Sequence, residues 1–190
     1  MKKCFANIKT TGLLPWKHGI FEIALMVEEN DQIVDLMFSK FNPGEVSFDE
    51  EALIISGVTE KELNASLPND VAFKHVVNFL NKNKNKNEKF LLVCWNSYFT
   101  HQFLYQFFKR NLKEKNETEK ENLNFNNYFY TPSLDVQQMA NFLLIDFREN
   151  IENLKFETIC NLFELPKLEK DTSLNNVKQL FILYKKLTEK

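Results

Sequence analysis

"FANIKTTGLLPW", residues 5–16, carries the reading on which the fold turns. Its first residues read as an apolar strand, and its end is broken by Thr-Thr-Gly, Pro15 and, shortly after, Gly19. Successive side chains of a strand point to opposite faces, so Asn7 and Lys9 share one face. An amide and an ammonium on one face of an otherwise apolar strand are out of place in a core. A slip of one residue would turn both to the other face, so no neighbouring residue easily takes their positions.

Outward from this stretch, "IFEIALMVEEN" (20–30) and "QIVDLMFSKFNP" (32–43) form a hairpin-like pair of strands. "SFDEEALIISGVT" (47–59) predicts a short helix with Ser47 as N-cap, Glu50 three residues on, and Gly57 as its stop. "TEKELNAS" (59–66) predicts a helical turn opened by Thr59. "PNDVAFKHVVNFLNK" (68–82) places Val71, Phe73, Val76, Val77 and Leu80 at helical spacing. "NKNKNKNEK" (81–89) reads as a solvated loop, and "FLLVCW" (90–95) as a buried central strand. "NSYFTHQFLYQFFKRNL" (96–112) is an amphipathic helix with Phe99, Phe103, Leu104 and Phe107 inward.

The charged segment "KEKNETEKENLNFNN" (113–127) reads as an exposed, mobile insertion within a single domain spanning 1–190. A short strand in 128–132, a helix from Ser133 and a second over 150–165 ended by Pro166 follow. The closing helix is capped by Thr172 or Ser173, with Leu174, Val177, Leu180, Phe181, Tyr184 and Leu187 as its stripe. A strand meander joined to βα units predicts a mixed α/β sheet with helices packed on its faces.

Composition narrows the function classes. The chain has 190 residues, enough for one sizeable core, and 44% of them are hydrophobic, 19 being Phe, which excludes a disordered chain. Its net charge of −2 gives no bulk support to a protein living on phosphate contacts. Local patches, "NKNKNKNEK" and "KRNLKEK" (109–115), remain; acidic "ETEKEN" (117–122) follows the second. Cys4, Cys94 and Cys160 lie in apolar stretches without CxxC spacing and read as reduced core thiols. With no signal peptide expected ahead of the first strand and no run long enough to cross a bilayer, the expectation is a cytoplasmic protein without membrane partners.

Taken together, "NIKTTGL", "NPGEVSFDEEALIISGVTEKEL", "WNSYFTHQFL", "TPSLDVQQMA" and "LKFETICNLFELP…DTSLNNVKQLFILYKKL" resemble the DnaQ-like, DEDDh-type 3′–5′ exonucleases of the ribonuclease H-like superfamily. The resemblance runs through the whole chain in order and implies a mixed five-stranded sheet flanked by helices on both faces. Active members open with Asp-x-Glu-Thr-Thr-Gly, continue with His-Asn-Ala-x-Phe-Asp-x-x-Phe-Leu and end with His-x-x-x-x-Asp. Four carboxylates there hold two Mg²⁺ or Mn²⁺ ions, since hard cations need anionic oxygens, and a histidine is the general base. Carried onto this chain, the first two acids fall on Asn7 and Lys9, the third on Thr100, the histidine on Asp171 and the last acid on Asn176. All five positions are substituted, so neither a metal nor another cofactor is expected.

What the resemblance implies for binding is a cradle made by Lys9, Thr10, Thr11, Gly12 and Leu13, with Asn96 and Phe99 beside the third acid's position. Lys9 would either meet a phosphate directly or pair with Asp171 or another local acid. Phe99 and Trp95 read more readily as core than as stacking surfaces, and His101 as a surface or capping residue. Three functions stay open: a pseudo-exonuclease holding single-stranded DNA, RNA or a nucleotide uncut; a module for a protein partner in replication, repair or RNA processing; and an exonuclease with rewired metal-dependent activity. A homodimer is compatible with each.

Overall fold

The computed structural model describes residues 1–168 and 170–189. A five-stranded sheet is built from β1 (Lys3–Thr10), β2 (Ile20–Glu29), β3 (Gln32–Lys40), β4 (Leu91–Cys94) and β5 (Leu134–Asp135) in the order β3-β2-β1-β4-β5. The β1–β2 and β2–β3 pairs are antiparallel, whereas β1–β4 and β4–β5 are parallel. The meander closes tightly because Asn30 and Asp31 both take left-handed backbone (φ 52° and 66°), as a two-residue hairpin turn requires. Parallel β4 and β5 need crossovers, which the helices supply.

Among the described residues the α-helices are α1 (Glu50–Ser56), α2 (Glu60–Asn64), α3 (Asn69–Asn83), α4 (Ser97–Leu112), α5 (Glu117–Asn122), α6 (Val136–Leu143), α7 (Phe156–Leu162) and α8 (Ser173–Thr188). The alternation of β1 divides the core. Cys4, Ala6 and Ile8 face α3 and α4, while Phe5 faces α6, α7 and α8 together with Ala24 and Met26 of β2. The mixed sheet flanked by helices expected from the sequence is thus the fold. All three cysteines are free and buried, and burial pushes their thiols well above the ordinary value. Among the described residues no helix is long and apolar enough to cross a membrane.

Several boundaries differ from the sequence reading for physical reasons. The N-cap of α1 is Asp49, whose carboxylate accepts from Glu51 N, while Ser47 is engaged with the loop before β2. Thr59 and Glu62 form the full capping box on α2 instead. The helix expected from Ser133 begins at Val136, capped by Asp135. Within 150–165 only 156–162 is α-helical, and α3 extends into the low-complexity run as far as Asn83.

The largest correction is 113–127, which is no loose insertion. Asn116 caps α5, and the 3₁₀ turn Phe125–Asn127 drives Phe125 into the core against Phe108 and Phe129, with ring centroids 5.8 and 4.9 Å away. Phe125→Ala should therefore cost about 3–5 kcal/mol in urea denaturation, the usual range for truncating a buried Phe. A loss below about 1 kcal/mol would mean that the segment is not part of the core.

Candidate functional site

The carboxyl ends of parallel β1 and β4 meet the starts of α4 and α8 at one edge of the sheet, and four constraints fix that edge. Lys9 lies opposite Glu22 in the β1–β2 register, and Asn7 lies opposite Ala24. Glu22, 6% exposed, accepts a 2.6 Å hydrogen bond from Ser173 N and so holds the positive end of α8. Thr172 caps the same helix through Asn175 N. Asp135 accepts from Gln137 N and Gln138 N at the start of α6 and, at 2.7 Å, from Ser97 N at the start of α4. One carboxylate thereby joins two helix N-termini. Its signal in the sequence is an Asp directly before the apolar-periodic run of α6, which a capping search finds.

Three of the five positions to which the resemblance carries catalytic residues come together here. The Lys9 ammonium, on a side chain only 12% exposed, donates to Asp171 Oδ2 at 2.9 Å and to the Asp171 carbonyl at 2.6 Å. Asn176 Nδ2 donates to Asp171 Oδ1 at 2.7 Å. Both carboxylate oxygens are therefore engaged. Desolvation pushes the Asp171 carboxyl up, but the hydrogen bonds from Lys9 and Asn176 and the lysine charge outweigh it and hold the group below its ordinary value. Of the two roles expected for Lys9, the structure contains the pairing with Asp171.

Asn7 is half-buried on the Lys9 face and makes no side-chain hydrogen bond among the described residues. Thr100 is buried in the first turn of α4, outside the lysine network.

This donor set does not fit a pair of hard divalent cations, which need several anionic oxygens. Of the five carried-over positions only Asp171 is a carboxylate, already bound by an ammonium and an amide, while Glu22 and Asp135 are spent on helix N-termini, and the ammonium repels a cation at the same place. Among the described residues no group of three His, Cys, Asp or Glu side chains could hold a metal ion.

The turn after β1 is braced from within. Thr10 Oγ1 donates to Gly12 O, and buried Thr11 Oγ1 donates to Ser47 O while accepting from Gly19 N. Asp49 N donates to Thr11 O, tying α1 to the turn. Gly12 is required by a close approach, because a Cβ there would lie 2.4 Å from the His18 ring. His18, 4% exposed, accepts from Leu14 N through Nδ1, and Arg110 reaches across from α4 to His18 O and Pro15 O at 2.6 and 2.7 Å. Sequence reasoning missed His18 and Arg110, since contacts spanning 92 residues leave no local pattern.

The remaining candidates divide between core and surface. Asn96 takes left-handed backbone (φ 54°) and spends its Oδ1 capping α4 at Phe99 N. Phe99 packs on Phe103 and the core, and Trp95 packs on Phe156. His101 is half-buried between Ser133 and Phe125, neither a surface nor a capping residue. By contrast Leu13, Trp16 and Tyr98 stand 73%, 69% and 76% exposed around the same sheet edge. A shallow hollow of about 530 Å³ lies beside the turn, lined by Leu13, Leu14, His18, Phe48 and Asp49 among others.

Two titrations check this geometry. Burial, then Lys17 and Arg110, push the His18 imidazole below its ordinary value against the opposing pull of Asp49, and burial does the same to His101. Above about pH 6.5 both rings are neutral folded and unfolded. As pH falls below that, the unfolded chain takes up protons first, so stability declines until the folded-state values are passed. Urea midpoints should follow this course, and the His18→Gln/His101→Gln variant should flatten it; an unchanged slope would contradict the buried-imidazole geometry. Separately, Lys9→Met should raise the Asp171 carboxyl pKa in a ¹³C NMR titration. No change would mean that the ion pair does not form.

Comparison with known proteins agrees with this architecture. No protein-family model matches the chain, and no curated protein matches it in sequence. Among solved structures, Escherichia coli exonuclease I in complex with a dT13 oligonucleotide is similar over 98% of this chain and 40% of its own, with TM-score 0.73 and 13% identity. Exonuclease I from Methylocaldum szegediense gives TM-score 0.70 and 15% identity over 96% of this chain and 39% of that one. A 3′-exonuclease described in 3′-end-specific recognition of a histone mRNA stem-loop gives TM-score 0.69 and 14% identity over 98% and 80%. At these identities the likeness establishes the fold alone, a mixed five-stranded sheet flanked by helices that these exonucleases share. The chain spans about two-fifths of the length of the exonuclease I chains.

Proposed function

We propose that this protein is an exonuclease scaffold without metal-dependent cleavage, which holds a single-stranded 3′ end of DNA or RNA uncut. The observation that carries the reading is the Lys9 ammonium pinned by Asp171 and Asn176, at positions where the resemblance places a metal ligand, the general base and the last acid. A lysine in that position supplies by itself the positive charge that the ions would bring, and removes the activated water they would generate. Asn7 and Thr100 supply no carboxylate in compensation.

Support for retained binding comes from the braced turn and its apolar rim. The hydroxyls of Thr10 and Thr11 are satisfied internally, so the cradle would act through shape and exposed side chains. Leu13, Trp16 and Tyr98 offer surfaces on which unstacked bases can pack, a contact worth about 1–3 kcal/mol per base. Similar folds have been solved with a single-stranded oligonucleotide and in recognition of an RNA stem-loop.

A second reading, a protein-interaction module, is favoured by a different observation. Phe142, Leu143, Ile145 and Phe147 stand 50–75% exposed where α6 ends, about 12 Å along that helix from the end of β5. Such an apolar surface outside the cleft suits a partner protein.

Fluorescence anisotropy of a 5′-labelled single-stranded oligonucleotide, followed in time in EDTA and in Mn²⁺, separates the readings. Binding without cleavage gives the same stable rise in both buffers, reduced several-fold in affinity by Leu13→Ser/Trp16→Ser. A signal that decays only in Mn²⁺ would overturn the loss of cleavage, and no rise in either buffer would leave the interaction module.

A further inference from the structure

We propose that the groove between the C-terminal half of α4, α5 and the 3₁₀ turn at 125–127 binds a flat aromatic ring carrying one anionic group. The groove measures about 500 Å³, within the range of small-molecule sites. It begins at Tyr105, about 12 Å along α4 from Ser97, and is therefore separate from the sheet edge described above.

Its chemistry is laid out by helical spacing. Tyr105, Lys109 and Lys113 follow one another at intervals of four, so they form a single ridge along α4. Phe108 and Phe125 make the floor, and the half-exposed Tyr105 ring stands edge-on to Phe125 with centroids 6.1 Å apart. A planar ring entering here meets aromatic surface on more than one side.

The rim is cationic, and of its three lysines only Lys120 is paired with a carboxylate among the described residues. The lining includes three lysines and no carboxylate, although acids outnumber bases 26 to 24 in the chain. Two of the three acids of α5 are paired, Glu117 with Lys120 at 2.9 Å and Glu119 with Lys115 at 3.4 Å, and the third, Glu121, does not line the groove. Lys109 and Lys113 have no carboxylate within ion-pair distance among the described residues. Lysines in the last turn of a helix suit its dipole, but the dipole does not explain an aromatic floor beside them.

A nucleoside monophosphate and an aromatic carboxylate share this chemistry, and calorimetry distinguishes them. The full chain is titrated with AMP, 2-naphthoate, adenosine and inorganic phosphate. One or both of the ring-bearing anions should bind, with adenosine and phosphate at least tenfold weaker; binding of AMP alone identifies the nucleotide, and of 2-naphthoate the aromatic acid. Lys109→Glu/Lys113→Glu should weaken binding at least tenfold with the melting temperature unchanged, Tyr105→Ala should also weaken it, and Trp16→Ser should leave it as it was. The proposal is overturned if neither anion binds, if the double charge reversal has no effect, or if Trp16→Ser abolishes binding, which would place the ligand in the cleft.

Discussion

The start of α8 is gripped by two opposite charges that face each other across β1 and β2. Lys9 and Glu22 are register partners, yet each reaches past the other to the segment 171–173. The ammonium takes the carboxylate and carbonyl of Asp171, and the carboxylate takes the free N–H of Ser173. Both ends of this arrangement satisfy groups that a helix N-terminus otherwise leaves without partners or charge. The ammonium thus neutralises the Asp171 carboxylate and satisfies its carbonyl. The rest of the site takes its shape from that grip, since α8 carries Asn176 and closes one side of the sheet edge.

The other side is closed by the turn after β1, which is built to be stiff. Thr11, His18, Asp49 and Arg110 each hold a different point of it, and the arginine comes from the far half of α4. A scaffold that had lost every use for this edge would have little reason to spend a buried hydroxyl, an imidazole and a guanidinium on one loop. Fold alone does not give function, so the proposed loss of cleavage rests on the side chains at this site. Rigidity kept while ligands change is what a binding surface requires.

Much of this was legible in the sequence where the signal is local. Alternation in 5–9 assigns Asn7 and Lys9 to one face, the unbroken apolar run 90–95 marks the buried strand β4 (Leu91–Cys94), and Thr59 opens the helical turn that becomes α2. Where two caps compete, as Ser47 and Asp49 do, only the tertiary fold decides, because the Ser47 backbone is held by Thr11 Oγ1 and Lys17 O ahead of the helix and Asp49 takes the cap. The segment 113–127 misleads by composition. Its charges are the solvent face of α5, and the Phe that anchors it is a single residue among polar ones. The Lys9–Asp171 contact spans 162 residues, so the sequence could offer it only as one of two alternatives. The bracing of the turn by His18 and Arg110 left no periodic trace at all.

The central claim is that an ammonium holds the place of a metal. It is tested most directly by titrating Mn²⁺ calorimetrically into the unaltered protein and into a variant carrying N7D, K9E, T100D, D171H and N176D. The account predicts no site-specific heat from the unaltered protein and saturable Mn²⁺ binding by the variant. Saturable binding by the unaltered protein, abolished by Asp171→Asn, would contradict it.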